Sequence, residues 1–592
     1  MAHRLASIAI PPERRVPTRA EAAIFAAKAW LLRRRRALID LLPNAPPRLR
    51  RGTSLIDAPI IASIRSPLRT TDGGELDRLL NAGKVHNLRT AIRQIDGVEV
   101  PAQTVFSFWR QVGKPVRRRG FVAGRELREG CMIAAIGGGL CQLSNALYEA
   151  ALDAGVMVVE RHPHTRAVPG SRAEAGRDAT VFWNYIDLRL RARTRFRIEA
   201  RMTADMLEIA FRGTPASPSE AEPPAIAYAR PHDCLSCGQL TCHRHTPDRP
   251  ASFLPTAWLV DRATSEFSHY AQKEAKAHDL LLRPSRRFAK SARGWPAFGE
   301  ERGAAIATLR RALDLRLAPV RRPRAAILLA ADARLAAAYA HTLSHRYEHL
   351  VVAQNLLPHL WQKGVLQGRT FDVLLDRWPI EWLHKMLNEA RAHYPESSTL
   401  GDFRAPDAIA RAESEALAAA NRLITPHRSI AAHFPNGRVL LVDWRPGAPY
   451  PARQAGPTIL LAGAPVARKG IYALRDAISG LDMTLLLPAG AEEAPDFWVG
   501  VANVRRMAIG EQPQELAGVV LPALIEHHPA LLLRALAANI PAIATPACGL
   551  PAHPLLTTVP TYDAAALRIA LEALINNPAE TSGRSVIIAA NA

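Results

Sequence analysis

The chain has 592 residues, and its 76 Lys and Arg residues against 54 Asp and Glu residues give a formal net charge of +22. This length exceeds what one hydrophobic core accommodates and predicts about three or four domains. The cysteines are too few and too unevenly spaced for a secreted disulfide scaffold. The chain shows no secretory leader and no apolar run of about 18 residues, so we expect a cytoplasmic protein.

Residues 1–51 are predicted to be a basic amphipathic segment. Apolar residues such as Ile24 and Trp30 precede four consecutive arginines, Arg33 to Arg36. Two interpretations stay open for the helix expected here: it packs on its own domain, or it lies on the anionic inner face of a membrane as a peripheral contact. The basic residues elsewhere are dispersed and have no aromatic platform beside them, so no nucleic-acid partner is expected.

Proline-rich stretches at 43–47, 214–224 and 319–323 divide the rest of the sequence. They predict a multidomain protein with domains at 52–213, 225–317, 324–445 and 457–580. The first of these mixes helix and strand. A stripe of apolar residues over 143–151 indicates a helix, residues 181–190 and 196–200 alternate like half-buried strands, and a hairpin into 207–211 is expected to close the domain.

A glycine run, Gly137 to Gly139, leads to Cys141 at the start of the predicted helix. A thiol in the first turn of a helix is activated because unpaired backbone N–H groups point at it, and the glycines leave N–H groups that can bind an oxyanion. Either His162 or His164 is a candidate base, orienter or proton donor, and Asp178 is a candidate for holding the imidazole tautomer. The alternative is a buried structural cysteine with histidines that cap loops.

Several ordered motifs over roughly residues 55–213 resemble the VanW family, named after an accessory protein of B-type vancomycin resistance. The motifs are Asn87-Leu-Arg-Thr-Ala, Val105 to Gly113, Gly137-Gly-Gly-Leu-Cys-Gln-Leu-Ser, Glu160-Arg-His-Pro-His-Thr and Gly176-Arg-Asp-Ala-Thr-Val. For some members the resemblance implies acyl transfer of the L,D-transpeptidase type on peptidoglycan stem peptides. It implies Cys141 as the nucleophile and His164 as the base. An α+β fold is expected.

Two positions depart from the family pattern. Asn145 stands where Ser or Thr is frequent, and Trp109 stands where Asn is usual. A cytoplasmic enzyme has no access to assembled cell wall, so we expect the acyl donor to be a cytosolic precursor or a compound outside peptidoglycan altogether.

The segment 225–317 is predicted to be a small Cys/His-rich connecting domain. Thiols and imidazoles in its first part match the ligand set of a tetrahedral zinc site, and their spacing differs from both ferredoxin patterns. The expected ligands are Cys234, Cys237 and Cys242, with His243 or His245 as the fourth. The alternative is a surface loop with incidental cysteines.

The last two domains read as short apolar strands that alternate with helices, which predicts two doubly wound α/β domains. The predicted strands are 326–330, 458–463, 483–487, 519–524 and 542–545. Arg468 and Lys469 follow one of them, at the edge of the sheet where a diphosphate binds in such folds, and Glu526 follows another.

This arrangement resembles GT-B glycosyltransferases, in particular retaining families with a basic loop and a Glu-x7-Glu motif. The resemblance implies nucleotide-sugar binding by Arg468, Lys469 and Glu526. The second glutamate of the motif is Arg534 here, and a glutamate frequent after the following turn is Ala552. Two accounts therefore stay open: a thiol acyltransferase fused to a glycosyltransferase-like region, or a non-catalytic binding or assembly protein with a structural metal site that recognises a glycan precursor or a nucleotide sugar. The expected partner is an envelope glycan or peptide precursor.

Overall fold

The structure is a computed structural model, and it divides into two compact units. The first unit runs to Leu254 and includes 344–348 and 366–369; the second comprises 255–343, 349–365 and the chain from Thr370 onwards. The described residues are 18–43, 45–69, 75–128, 131–164, 176–214, 254–317, 324–402, 404–450, 457–501, 503–508, 511, 513 and 516–576.

The first unit is an α+β domain with three antiparallel sheets. Its elements are α1 (Arg19–Ile39), β1 (Ile60–Pro67), α2 (Glu75–Ile95), β2 (Val98–Val100), β3 (Val105–Ser107), α3 (Phe108–Val112), β4 (Ala123–Arg128), β5 (Cys131–Ile136), α4 (Leu140–Asp153), β6 (Met157–Glu160), β7 (Arg189–Arg191), β8 (Phe196–Met202) and β9 (Met206–Gly213). The sheets have the strand orders β1-β9-β8-β2, β3-β7-β6 and β4-β5.

Helix α4 is central to this unit because its apolar stripe packs against β1 and β9. Leu143, Leu147 and Ala150 of the stripe are fully buried. On the sheet side, alternate residues of β9 point into the same core, as the period of two in its sequence requires. The predicted helix and the closing β8–β9 hairpin are both present, and they hold the start of α4 in a fixed place.

The strand predicted over 181–190 is mostly wrong. Only its end lies in a strand, β7, and the preceding residues form a turn closed by an isolated bridge between Phe182 and Ile186. The indole N–H of Trp109 donates to the carbonyl of Ile186 at 2.8 Å and so fixes this turn. The partly exposed residues of the segment therefore form a loop wall instead of the face of a sheet.

The second unit contains two parallel sheets. Its elements are β10 (Thr256–Leu259), α5 (Ser265–Glu274), β11 (Leu280–Pro284), β12 (Glu300–Ala304), α6 (Ala305–Arg316), α7 (Arg324–Thr342), β13 (His349–Ala353), α8 (Leu357–Gln362), β14 (Thr370–Leu374), α9 (Ile380–His393), α10 (Asp407–Ala419), β15 (Arg422–Thr425), α11 (Arg428–Ala431), β16 (Val439–Leu441), β17 (Thr458–Leu461), α12 (Ile471–Ile478), β18 (Thr484–Leu487), β19 (Val504–Arg506), β20 (Gly518–Leu521), α13 (Ala530–Ala537), β21 (Ala542–Ala544), β22 (Leu556–Thr558) and α14 (Ala564–Asn576).

Both sheets are doubly wound. The first has the order β12-β11-β10-β13-β14-β15-β16 and the second the order β19-β18-β17-β20-β21-β22. In each, the strand order reverses beside the first strand, at β10/β13 and at β17/β20, and ligands bind at such reversal points in open α/β sheets. The prediction of two doubly wound halves is confirmed in outline, and this is the arrangement found in GT-B glycosyltransferases.

Two details of the prediction for this unit are wrong. Residues 326–330 lie within helix α7, since an alanine-rich apolar run satisfies a helix as well as a buried strand. Residues 256–304 supply three strands of the seven-stranded sheet, so 254–317 is part of the first half instead of a separate connecting unit. The predicted ligands from Cys234 to His245 lie outside the described residues.

Candidate functional site

The glycine run before Cys141 is a tight turn between β5 and α4. Gly139 caps the helix with a φ of 96°, a conformation that favours glycine. A Cβ atom on Gly138 would lie 2.3 Å from the carbonyl oxygen of Gly124, which is backbone and has no room to move aside. Cys141 is thereby the second residue of α4, where the N–H groups of the first turn favour a negative charge on sulfur.

His164 lies between Cys141 and Asp178. Its Nδ1 is 2.6 Å from Oδ2 of Asp178, its backbone N–H donates to the same oxygen at 2.7 Å, and the Cys141 thiol is close enough to the ring to help raise the pKa of the imidazole. Asp178 is fully buried, whereas Cys141 is partly exposed and also contacts the carbonyl oxygen of Val181 at 3.8 Å. Three of the predicted residues therefore lie in one series, in which His164 is hydrogen-bonded to Asp178 and adjoins Cys141.

The electrostatics of this series favour a protonated imidazole. Burial lowers the pKa of His164, but the hydrogen bonds to Asp178 and Cys141 outweigh burial and raise the pKa to about 10. Burial raises the pKa of Asp178, and the hydrogen bonds from His164 together with the charge of Arg161 bring it below its usual range. A positive imidazolium beside a thiol favours the thiolate, which is the nucleophilic form.

Asp178 and the following Ala179 are held by side chains that were assigned no role from the sequence. Arg161 donates from Nη2 to Oδ1 of Asp178 at 2.8 Å and from Nε to its carbonyl oxygen at 2.8 Å. Asn145 accepts from the N–H of Ala179 at 2.8 Å, and the hydroxyl of Ser144 donates to the carbonyl of Ala179 at 2.6 Å. Helix α4 thus positions both the thiol and the chain that carries the carboxylate.

The Cys141 sulfur adjoins a cavity of about 270 Å³. Its wall contains the glycine turn, the aromatic side chains of Trp109, Phe182 and Trp183, and the charged residues Arg33, Lys114 and Glu126. Apolar surface with a few charged groups is typical of a site for an organic ligand. The cavity is large enough for a short acyl or peptide group beside the thiol.

Two sequence predictions at this site need correction. His162 is directed at Glu160, with 3.4 Å between Nε2 and Oε1, so the structure brings His164 and not His162 to the thiol. The N–H groups of Gly137 and Gly138 donate to the carbonyls of Val122 and Ala135, and neither is free for an oxyanion. The oxyanion role of Gly139 stays a prediction.

In the second unit, Lys469 and Glu526 meet at the reversal point of the six-stranded sheet. Lys469 follows β17 and Glu526 follows β20, which are neighbouring strands, and the two side chains form a buried ion pair. Gly470, with φ of 76°, lets the first loop approach the carbonyl of Pro522, from which a Cβ atom would be only 1.7 Å away.

Glu526 is held in its ionised form. Burial raises the pKa of its carboxyl group, but the Lys469 ammonium and the N–H groups of His527 and His528 lower the pKa to about 2. Those N–H groups donate to Oε1 at 2.7 and 3.0 Å. The carbonyl of Glu526 accepts from the Trp378 indole at 3.0 Å. The pair is thus satisfied within the protein.

Arg468 and Arg534 differ from Lys469 in their surroundings. The carbonyl of Arg468 accepts from the N–H groups of Leu524 and Ile525 at 3.0 Å, which ties its loop to the one that carries Glu526. Arg534 donates to the carbonyl of Ala448 at 2.7 Å, and its guanidinium lies over the Tyr450 ring. Arg534 therefore anchors the segment before β17. His527 and His528, which follow Glu526, line a cavity of about 10 Å³.

The structure gives no support for a metal site within its described part. No group of three His, Cys, Asp or Glu residues there is placed to hold an ion. Likewise, no helix of the described ranges is long and apolar enough to cross a membrane.

Sequence reasoning missed several residues of the Cys141 site. Arg161 and Asn87 stand within the quoted motifs, but neither was assigned a role. Asn87 donates to the carbonyls of Val122 and Gly138 at 3.0 Å and so holds the glycine turn. Arg33 and Lys114 carried no such signal, since only the fold brings them to the cavity.

Part of the first unit matches a known protein family. Residues 83–212 match a family model described as VanW like protein. Residues 83–212 form a VanW domain. This stretch contains every member of the Cys141 series.

Two curated relatives match parts of the chain. The Bacillus subtilis protein YoaR, described as uncharacterized, is 37% identical over 109 residues, which are 18% of this chain and 35% of YoaR. The Enterococcus faecalis Vancomycin B-type resistance protein VanW is 30% identical over 132 residues, which are 22% of this chain and 48% of that protein. The chain thus spans less than half the length of either relative.

Solved structures similar to the region outside the VanW domain are glycosyltransferases. Sucrose-phosphate synthase from Thermosynechococcus elongatus covers 56% of this chain and 91% of its own, with 15% identity and a TM-score of 0.39. The Anabaena protein HepE, solved in complex with UDP and glucose, covers 56% and 92%, with 15% identity and a TM-score of 0.33. Because both scores are low, the description of the second unit rests on its own strand order.

Proposed function

We propose that the VanW domain is a cysteine-dependent acyltransferase of the L,D-transpeptidase type. The observation that carries this proposal is the series from Cys141 through the adjoining His164 to the buried Asp178, with Cys141 in the wall of a cavity. A structural cysteine needs neither an imidazole nor an exposed sulfur. Nucleophilic cysteines need both, together with a group that orients the imidazole.

The chemistry assigns one role to each member. The Cys141 thiolate attacks the carbonyl carbon of the acyl donor and forms a C–S bond, while the carbonyl electron pair moves to oxygen. When the intermediate collapses, the C–N bond to the leaving amine breaks and the His164 imidazolium supplies its proton. An acceptor amine or water then attacks the thioester, returns a proton to His164 and releases the thiolate. Asp178 holds the ring through both steps.

The expected donor is a peptide or glycopeptide precursor of the cell envelope on the cytoplasmic side. Intact-mass spectrometry tests this directly: the full chain is incubated with peptidoglycan precursor peptides, and a thioester adduct is sought on Cys141. Cys141→Ala is the reference, and Cys548→Ala is a matched control because that thiol is fully buried in the second unit. Equal adducts on the wild type and on Cys141→Ala would reject the nucleophile.

For the second unit we infer a nucleotide-sugar binding role without turnover. Lys469 and Glu526 supply charges at the reversal point of the sheet, where a diphosphate is expected. Arg534 stands at the position of the second glutamate of the motif. Its side chain donates to the carbonyl of Ala448 and lies over the Tyr450 ring. The motif position therefore carries a bonded arginine instead of a glutamate, which supports binding of a nucleotide sugar without catalysis.

Calorimetry with nucleoside-diphosphate sugars tests this second role. We expect heat on titration with at least one sugar nucleotide, and loss of that heat in Lys469→Met. Release of free nucleoside diphosphate during the same incubation would contradict the absence of turnover, and silence across the panel would contradict binding.

A further inference from the structure

Helix α1 has one face that packs on the VanW unit and does so mainly through polar contacts. Ala29, Arg33, Arg36 and Asp40 follow a spacing of four, three and four residues, which places them on one side. Nε of Arg33 donates to the carbonyl of Trp183 at 2.9 Å, and Arg36 pairs with Glu160. Arg189 donates to Asp40 at 3.2 Å. The helix is therefore fixed without using its large apolar side chains.

The opposite side of α1 is apolar and exposed. This outward face of α1 comprises Ile24, Leu31 and Leu38 of the helix and Leu42 of the turn that follows it, which are 56%, 63%, 66% and 59% exposed. In a helix of a globular protein the apolar stripe faces the core, so this arrangement is reversed. Several large apolar side chains exposed on one side of a helix mark an interaction site.

Basic residues lie among these apolar side chains. Lys28, Arg34 and Arg35 are all exposed and fall on the same side of the helix by the 3.6-residue period. Arg34 also lies over the ring of Trp30, which is 56% exposed. Leucines, a tryptophan and a cluster of basic side chains are the composition of helices that lie in a membrane interface.

We propose that the outward face of α1 docks on an anionic lipid bilayer. Its leucines enter the boundary between headgroups and acyl chains, and Lys28, Arg34 and Arg35 contact the lipid phosphates. A second copy of this chain fits the same face less well, because it would bring two sets of these cations together. The net charge of +22 also favours binding to an anionic surface.

The docked helix also brings the membrane close to the Cys141 cavity. Arg33, on the packed side of α1, lines that cavity. An α-helix is about 10 Å across with its side chains, so the cavity wall lies roughly one helix diameter from the lipid surface. This part rests on the proposed acyltransferase function: it names the substrate class as an acyl or peptide group carried on a lipid anchor.

Vesicle flotation of the full chain tests the docking surface. We expect the protein to float with vesicles of phosphatidylcholine and phosphatidylglycerol, and to remain behind with phosphatidylcholine alone. Raised salt weakens the binding because it screens the charges. Arg34→Gln with Arg35→Gln weakens it roughly fivefold for each charge removed. Leu31→Ser with Leu38→Ser weakens it at least about tenfold, since two apolar side chains no longer enter the interface.

Controls separate this proposal from its alternatives. Ile569→Ser removes an isoleucine of α14 that is 57% exposed, and it should leave flotation unchanged. Cys141→Ala should also float like the wild type, because the docking surface does not include this residue. The docking proposal can therefore hold even if the acyltransferase proposal fails. Flotation that is equal without phosphatidylglycerol would overturn the proposal. So would a lipid-free dimer that Leu31→Ser with Leu38→Ser dissociates.

Discussion

The Cys141 site and the Lys469–Glu526 site both contain buried ionic groups, but they differ in what solvent can reach. At the first, the buried carboxylate of Asp178 is held by Arg161 and His164, and the series ends in a partly exposed sulfur beside a cavity of about 270 Å³. At the second, both members of the ion pair are buried. The first site leaves a thiol partly exposed, whereas the charges of the second are satisfied within the protein.

The largest effect that separates the two sites should come from the thiol. Cys141→Ala removes the nucleophile, and we expect acyl transfer to fall on the order of a thousandfold or more. The partly exposed side chain leaves the fold intact, so the thermal midpoint should change little. Turnover of a peptide donor, measured by chromatography, checks the rate. Turnover by Cys141→Ala that is comparable to that of the wild type would contradict a role of the thiol in acyl transfer.

A smaller loss is expected from the group that orients the imidazole. Asp178→Asn keeps the shape of the side chain but removes the charge that stabilises the His164 imidazolium, and we expect transfer to fall about a hundredfold. NMR titration of the ring should show the pKa of His164 well below that of the wild type. An unchanged titration would show that Asp178 does not set the charge of the ring.

For the Lys469–Glu526 site the expected effect is on stability. Lys469→Met leaves the buried Glu526 carboxylate unpaired, which costs about 3–5 kcal/mol. Lys469→Met with Glu526→Leu removes both charges and should restore most of that loss. Denaturant unfolding followed by tryptophan fluorescence measures the change. If Lys469→Met has the same free energy of unfolding as the double variant, the unpaired Glu526 carboxylate carries no penalty, which contradicts this prediction.

The smallest effect is a pH dependence of the VanW unit. Because the pKa of His164 is raised from 6.5 to about 10, its protonated form stabilises the fold below pH 6.5, and this contribution is lost as the pH rises towards 10. The difference in thermal midpoint between the wild type and His164→Gln should therefore shrink over this range. A difference that grows with pH would contradict the assignment.

The sequence predicted local structure better than it predicted the surroundings of the sites. The β8–β9 hairpin and the start of α4 follow from alternation and from glycines, which are local signals. Residues 326–330 were wrongly predicted as a strand because alanine-rich apolar runs fit both structures. His164 and Asp178 were found from motifs, but Arg33 and Lys114 reach the cavity only through the tertiary fold, and spacing carries no information about such contacts.

The central claim is that His164 activates Cys141, and the pH dependence of alkylation at this thiol tests it most directly. The rate of modification of Cys141 by iodoacetamide is measured by mass spectrometry from mildly acidic to alkaline pH, in the wild type and in His164→Gln. We expect Cys141 to be alkylated faster in the wild type than in His164→Gln over the acidic and neutral part of this range, because the adjoining imidazolium favours the nucleophilic form of the thiol. Identical profiles for the two proteins would contradict the account.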